Sequence, residues 1–258
     1  TVNIQENGNR SPIRYVSPPG VVREQLYNNN SVINQNEQAL AMRVGGAGLE
    51  PGDSRAVFKN VSVDMRQFNK LKMFLHAEAL PAPSDPTPLQ NDQMVGFIRF
   101  GNDFTQNFYQ VEIPLKVTPE GASSPSEVWP ELNEINLSLD LLTQLKVLAL
   151  GGNAPAEDIN GIRFMDDDVL DPSLASNTSR GKLRLGIRGN PNFGLVRTLM
   201  VGVKNRATNA SSIRGEVWFN ELRLAEMDNK GGMAAVVNLD TNLADLATIS
   251  ASSKKSTI

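Results

Sequence analysis

The chain has 258 residues, 40% of them hydrophobic and 21% charged, with a formal net charge of −3. That balance reads as globular rather than disordered, and without a basic excess to neutralise phosphates no nucleic acid is expected as a partner. Cysteine is absent, which excludes disulfides, thiolate metal sites and cysteine nucleophiles.

No run of about 18 apolar residues occurs, so no membrane-spanning helix is expected. The polar start, Thr1 to Arg10, is no signal peptide. Thr1 begins without methionine and Ile258 ends a polar run, so the sequence reads as a piece of a longer chain.

Residues 1–36 are rich in Asn, Pro and Ser. The phrase Tyr15-Val16-Ser17-Pro18-Pro19-Gly20 favours an extended path, and the segment is expected to be an arm or linker. Strands follow from residue 37. Leu40, Met42 and Val44 share a face by period-two spacing. Glycines at 45, 46 and 48 and Pro51-Gly52-Asp53 signal turns. Ala56–Lys59 reads as a short strand and Asp64–Phe68 as a turn. From Lys70 to Glu78, Leu71, Met73, Leu75 and Ala77 alternate with Lys72, Phe74, His76 and Glu78, the latter set expected outward. His76 is the only histidine, and on that face it is expected in solvent.

A Pro-rich loop spans 79–92. Met94–Phe100 and Phe108–Leu115 read as an antiparallel pair of strands. Asn133–Leu139 alternates again, and Asp140–Leu148 has the helix period. Residues 151–180 read as loop. The strands Lys182–Arg188, Val196–Val203 and Gly215–Leu224 complete the set. In the last, Trp218, Asn220, Leu222 and Leu224 are expected on one face, with Val217, Phe219, Glu221 and Arg223 on the other. Many short strands with Gly/Pro/Asn turns and one short helix predict an all-β chain. The expected fold is an antiparallel β-sandwich of the jelly-roll type, like galactose-binding and carbohydrate-binding modules, over residues 37–226. Residues 227–258 open with Asp228-Asn229-Lys230-Gly231-Gly232 and continue in a weak dyadic alternation. They read as a Gly-rich exit and the start of an outer-membrane barrel strand.

Chemistry is sparse. There is no GxSxG, no P-loop and no paired metal-binding histidine, so no catalytic residue and no cofactor are expected. Glu112, Glu134 and Glu221 lie in predicted strands, with nothing in the sequence to bring two together. Asp166, Asp168 and Asp171 are weak calcium candidates in an oxygen-rich loop that lacks the EF-hand spacing. A carbohydrate-binding module of a cell-surface protein is the alternative function. Its one candidate platform is Trp129, which follows a loop, whereas Trp218 lies in a predicted buried strand.

Several phrases in one order carry a resemblance. They are Pro18-Pro19-Gly20, Asn36-Glu37-Gln38, Asp64-Met65-Arg66-Gln67-Phe68, His76-Ala77-Glu78 and Phe97-Ile98-Arg99. They continue with Gln106-Asn107-Phe108-Tyr109, Ile113-Pro114-Leu115, Val128-Trp129-Pro130, Arg188-Gly189-Asn190-Pro191 and the block from Gly215 to Ala235. Together they resemble the SprA/Sov family, the giant outer-membrane translocon proteins of the Bacteroidota type 9 secretion system. The resemblance implies a non-catalytic scaffold or partner-docking module at the outer membrane, facing periplasm or cell surface. Its implied partners are other secretion-system proteins and secreted cargo, with a role in gliding motility in some members.

Overall fold

Period-two patterning between Gly, Pro and Asn turns dictates strands, and strands dominate the computed structural model. It describes residues 2–6, 13–21, 25–28, 31–34, 38–80, 88–206, 211–227, 234–243 and 247–256. The chain divides into two units, Thr1–Glu226 and Met227–Ile258.

In the first unit, β1 (Val2–Glu6), β4 (Gln38–Leu49), β13 (Ile213–Met227), β6 (Phe68–Glu78) and β9 (Ile135–Ser138) form a five-stranded sheet in that spatial order. A six-stranded sheet has the order β10 (Arg163–Asp166), β11 (Arg184–Arg188), β8 (Phe108–Pro114), β7 (Met94–Gly101), β12 (Val196–Asn205) and β5 (Ser54–Val63). The strands β2 (Gln25–Asn28) and β3 (Ser31–Asn34) pair separately. Pairing is antiparallel throughout the six-stranded sheet.

One apolar cluster joins the two sheets. Met42, Leu71, Met73, Leu75, Val217 and Phe219 of the first sheet share it with Ile98, Phe100, Val111, Ile113, Leu185 and Val203 of the second. The helix α2 (Leu139–Leu150) adds Leu141, Leu142 and Leu145 to this core and touches both β6 and β11. It therefore closes one flank of the space between the sheets. At roughly 25 cal/mol per Å² of apolar surface buried, this shared cluster is the main favourable term holding the sheets together.

Several elements differ from the sequence expectation. Strand β4 runs through its glycines instead of stopping before them. Gly46 and Gly48 take left-handed φ of 62° and 88°, so the strand bends without ending. Strand β5 spans 10 residues rather than four, because β12 templates its whole length. Two single-turn helices, α1 (Pro125–Val128) and α3 (Asp167–Leu170), occur where loop was expected. Helix α1 starts from a full capping box, with the Ser124 side chain on the Glu127 N–H and the Glu127 carboxylate on the Ser124 N–H.

Strand β13 departs in a way that matters. Its first half alternates as expected: Val217 and Phe219 point into the shared core and Trp218 points away. At Glu221 the backbone turns left-handed, with φ of 51°. One such residue inserted in a strand moves every later side chain to the opposite face. Leu222 and Leu224 consequently pack on the shared core, not beside Trp218, while the Arg223 guanidinium comes to 5.8 Å from the Phe74 ring on the outer side.

In the second unit, β14 (Ala234–Leu243) and β15 (Ala247–Ser256) form one antiparallel hairpin, Ala234 opposite Ser256 and Leu243 opposite Ala247. No sheet among the described residues closes into a barrel. The turn expected at 228–232 lies outside the described residues.

Candidate functional site

The outer face of the five-stranded sheet is covered around Ala39, Ala41, Phe74 and Trp218. The arm residues Ile13, Tyr15 and Pro18 are buried there, and Tyr15 is fully so. Tyr15 sits 5.9 Å from both Trp129 and Trp218. Its hydroxyl accepts a 2.8 Å hydrogen bond from the Asn220 amide, and the Val16 carbonyl accepts one of 2.7 Å from the Trp129 indole N–H. The proline-fixed arm is thus stapled at two points onto a second apolar cluster containing Ala39, Ala41, Phe74, Trp129 and Trp218.

This cover overturns the solvent reading of His76. The ring faces outward on β6, as its alternation requires, but its exposure is 0%. It stacks on Trp218 with centroids 3.9 Å apart. Its Nδ1 lies 2.8 Å from the Val128 carbonyl oxygen, which can only accept, so Nδ1 carries the proton. The Thr118 hydroxyl is 3.0 Å from the same nitrogen, and Nε2 is 3.4 Å from Glu78. Trp129 is corrected likewise. It is 2% exposed and offers no face on which a sugar ring could stack. The missed signal was Tyr15-Val16-Ser17-Pro18-Pro19, an apolar and stiff phrase inside an otherwise polar arm.

The acidic candidates do not converge on a metal. Lys182 Nζ lies 3.0 Å from both Asp166 and Asp168, and these two carboxylates raise the Lys182 pKa. Asp171 instead accepts from the Ser173 N–H at 3.0 Å and from its hydroxyl at 2.7 Å, capping the turn that begins at Pro172. No group of three or more His, Asp or Glu suited to a metal ion occurs among the described residues. The strand glutamates are also apart. Glu112, on β8 of the six-stranded sheet, is buried between Arg184 at 3.5 Å and Lys204 at 3.4 Å. Glu134 precedes β9 and Glu221 kinks β13, both in the other sheet.

An open, largely apolar feature lies on the flank opposite α2. Strand β5 is the edge of the six-stranded sheet and, among the described residues, pairs with β12 alone. Three hollows follow it in order between the sheets. The first, 370 Å³, lies between Arg55 and Ala56 of β5 and Met42 and Val44 of β4. The second, 260 Å³, lies between Val57 and Lys59 of β5 and Leu40 and Phe219. The third, 300 Å³, lies between Val61 and Val63 of β5 and Leu222 and Leu224. Phe58 is 65% exposed on the same strand. The left-handed turn at Glu221 is what delivers Leu222 and Leu224 to the wall of this trough. No sequence period announced it.

A family model, SprA_N, described as motility related/secretion protein, matches residues 1–258. Among curated proteins no match is found.

Proposed function

The chain belongs to the SprA_N family of motility related/secretion proteins, and from that premise we propose that it is a non-catalytic docking module of the type 9 secretion translocon at the outer membrane. In this reading the first unit is a jelly-roll sandwich that serves as scaffold. Residues 227–258 lead toward the barrel, and the partners are other secretion-system proteins or secreted cargo. The observation that carries the reading is the trough along the unpaired β5 edge. It is a long, mostly apolar surface of the kind a polypeptide covers, and such surfaces mark interaction sites more often than chance exposure does. The arm, locked over the opposite sheet face, supports a rigid platform behind it.

The test is a pull-down from detergent-solubilised outer membranes of a gliding Bacteroidota species, with the whole 258-residue chain as bait, beside a glycan array. Retention of identified secretion or motility components, with a silent array, is expected. A defined glycan hit without protein partners would overturn the reading in favour of a sugar-binding module.

A further inference from the structure

We infer that the β5 edge and the trough behind it receive an extended strand from a partner protein, with alternating apolar and polar side chains and an acidic residue opposite Lys59. The inference rests on the docking reading and names what docks.

Three observations select an extended strand. The first is backbone chemistry. An edge strand presents a row of N–H and C=O groups that another strand satisfies in full. A helix bonds its own backbone internally, and a lipid chain has no donors or acceptors to offer, so neither satisfies that row. The second is length. Strand β5 has 10 residues, which at about 3.4 Å each is roughly 34 Å of edge, and the three hollows run beside it from Arg55 to Val63. The third is spacing. In register with β12, Val57 and Lys59 lie opposite Val201 and Leu199 and share one hollow with them, while Val61 and Val63 line the next, positions two residues apart; Phe58, which also borders the first hollow, lies opposite Met200 on the other face. A strand laid against β5 would present side chains to the trough with the same period of two.

The chemistry of the walls sets the sequence that fits. Val57, Val61, Leu222 and Leu224 call for apolar side chains, and their burial is the source of affinity. Lys59 lies among them, and no carboxylate pairs with it among the described residues. An acidic residue at that point of the incoming strand would supply the missing charge and fix the register. The six-stranded sheet would then gain a seventh strand by β-augmentation. Its exposed Phe58 would lie beside the new strand on the outer face.

The experiment uses the whole chain and a fluorescein-labelled peptide of the length of β5. The peptide alternates valine and threonine and carries one glutamate. Binding is read by fluorescence anisotropy, and backbone protection by hydrogen exchange of the β5 amides. Saturable binding with protection of β5 is expected. N-methylation of alternate peptide amides on the pairing edge, or proline at those positions, is expected to weaken binding by about tenfold or more. The variant Val61→Lys, whose fold is checked by circular dichroism, is expected to lose binding to a similar degree. Lys59→Glu is expected to reverse the preference from a glutamate-bearing to a lysine-bearing peptide.

No saturable binding of the peptide would overturn the inference, as would equal binding of the N-methylated form. Concentration-dependent protection of β5 without peptide would overturn it in favour of a second copy of the chain. The two readings also fail separately. If Val61→Lys captures secretion components as well as the parent chain does, docking stands and the trough is not its site. If the peptide binds as described but no secretion component is captured, strand addition stands and the docking reading falls.

Discussion

Glu221 holds a left-handed backbone in the middle of β13, a conformation that costs a residue with a side chain about 1–2 kcal/mol. The strand keeps it because the turn moves Leu222 and Leu224 onto the core. Glu221→Gly is therefore expected to be neutral or stabilising by up to about 1 kcal/mol in urea unfolding, the relief of strain outweighing glycine's extra unfolded freedom. Glu221→Val is expected to destabilise by about 1–3 kcal/mol, because a β-branched side chain tolerates this region poorly. Equal stability of the two variants would mean that the kink is not the conformation in solution. Asp103 offers a test through pH. Burial opposes its ionisation, but hydrogen bonds from the Gln106, Thr105 and Asn107 N–H groups and from the Asn107 side chain outweigh it and hold its pKa at about 2, below its ordinary 3.8. A carboxylate depressed on folding stabilises above its unfolded pKa, and the benefit disappears as pH falls through the folded one. The loop between β7 and β8 is thus expected to loosen between pH 4 and 2. Asp103→Asn should flatten the acid limb of a thermal-melting profile in that window, and an unchanged limb would refute the role.

At the scale of the element, the arm at 13–21 decides how the five-stranded sheet is buried. The chain's two tryptophans both lie under it. Removing residues 1–21 is expected to shift tryptophan emission to longer wavelength and to open Trp129 and Trp218 to iodide quenching. An unchanged spectrum would mean that the arm does not cover them. Trp218→Ala is expected to cost about 3–5 kcal/mol, since it empties the centre of the second cluster. The legibility of the sequence divides along the same line. Inward residues such as Leu71, Met73, Leu75 and Ala77 could be read from period-two spacing, because strand geometry alone sets their direction. Whether the outward set meets water could not. Phe74 and His76 are buried by a segment about 60 positions earlier, a tertiary contact to which local periodicity is blind. The β5 trough was hidden for a related reason. Its wall depends on one backbone angle at Glu221, and its opening depends on which strand ends up at a sheet edge.

At the scale of the whole molecule, the division after Glu226 separates two kinds of β-structure. The first unit holds three apolar clusters and both tryptophans, so its stability is expected to come from within residues 1–226. The second is a single hairpin, β14–β15, and an isolated two-stranded hairpin is marginal in water without further strands or a partner surface. Deleting residues 228–258 is therefore expected to leave the main unfolding transition in place, with a midpoint shift of no more than about 2 °C by calorimetry. The hairpin as a separate peptide is expected to gain β-structure only when neighbours are supplied, for example in lipid micelles, where unpaired backbone groups must find partners. A large drop in the midpoint would show instead that the hairpin stabilises the first unit. A folded hairpin in plain buffer would remove the reason to assign it to a larger barrel. If both expectations hold, residues 1–226 can fold and present the β5 edge independently of the hairpin. The docking role proposed above needs that independence, because its platform must keep its shape whether or not the hairpin has found neighbouring strands.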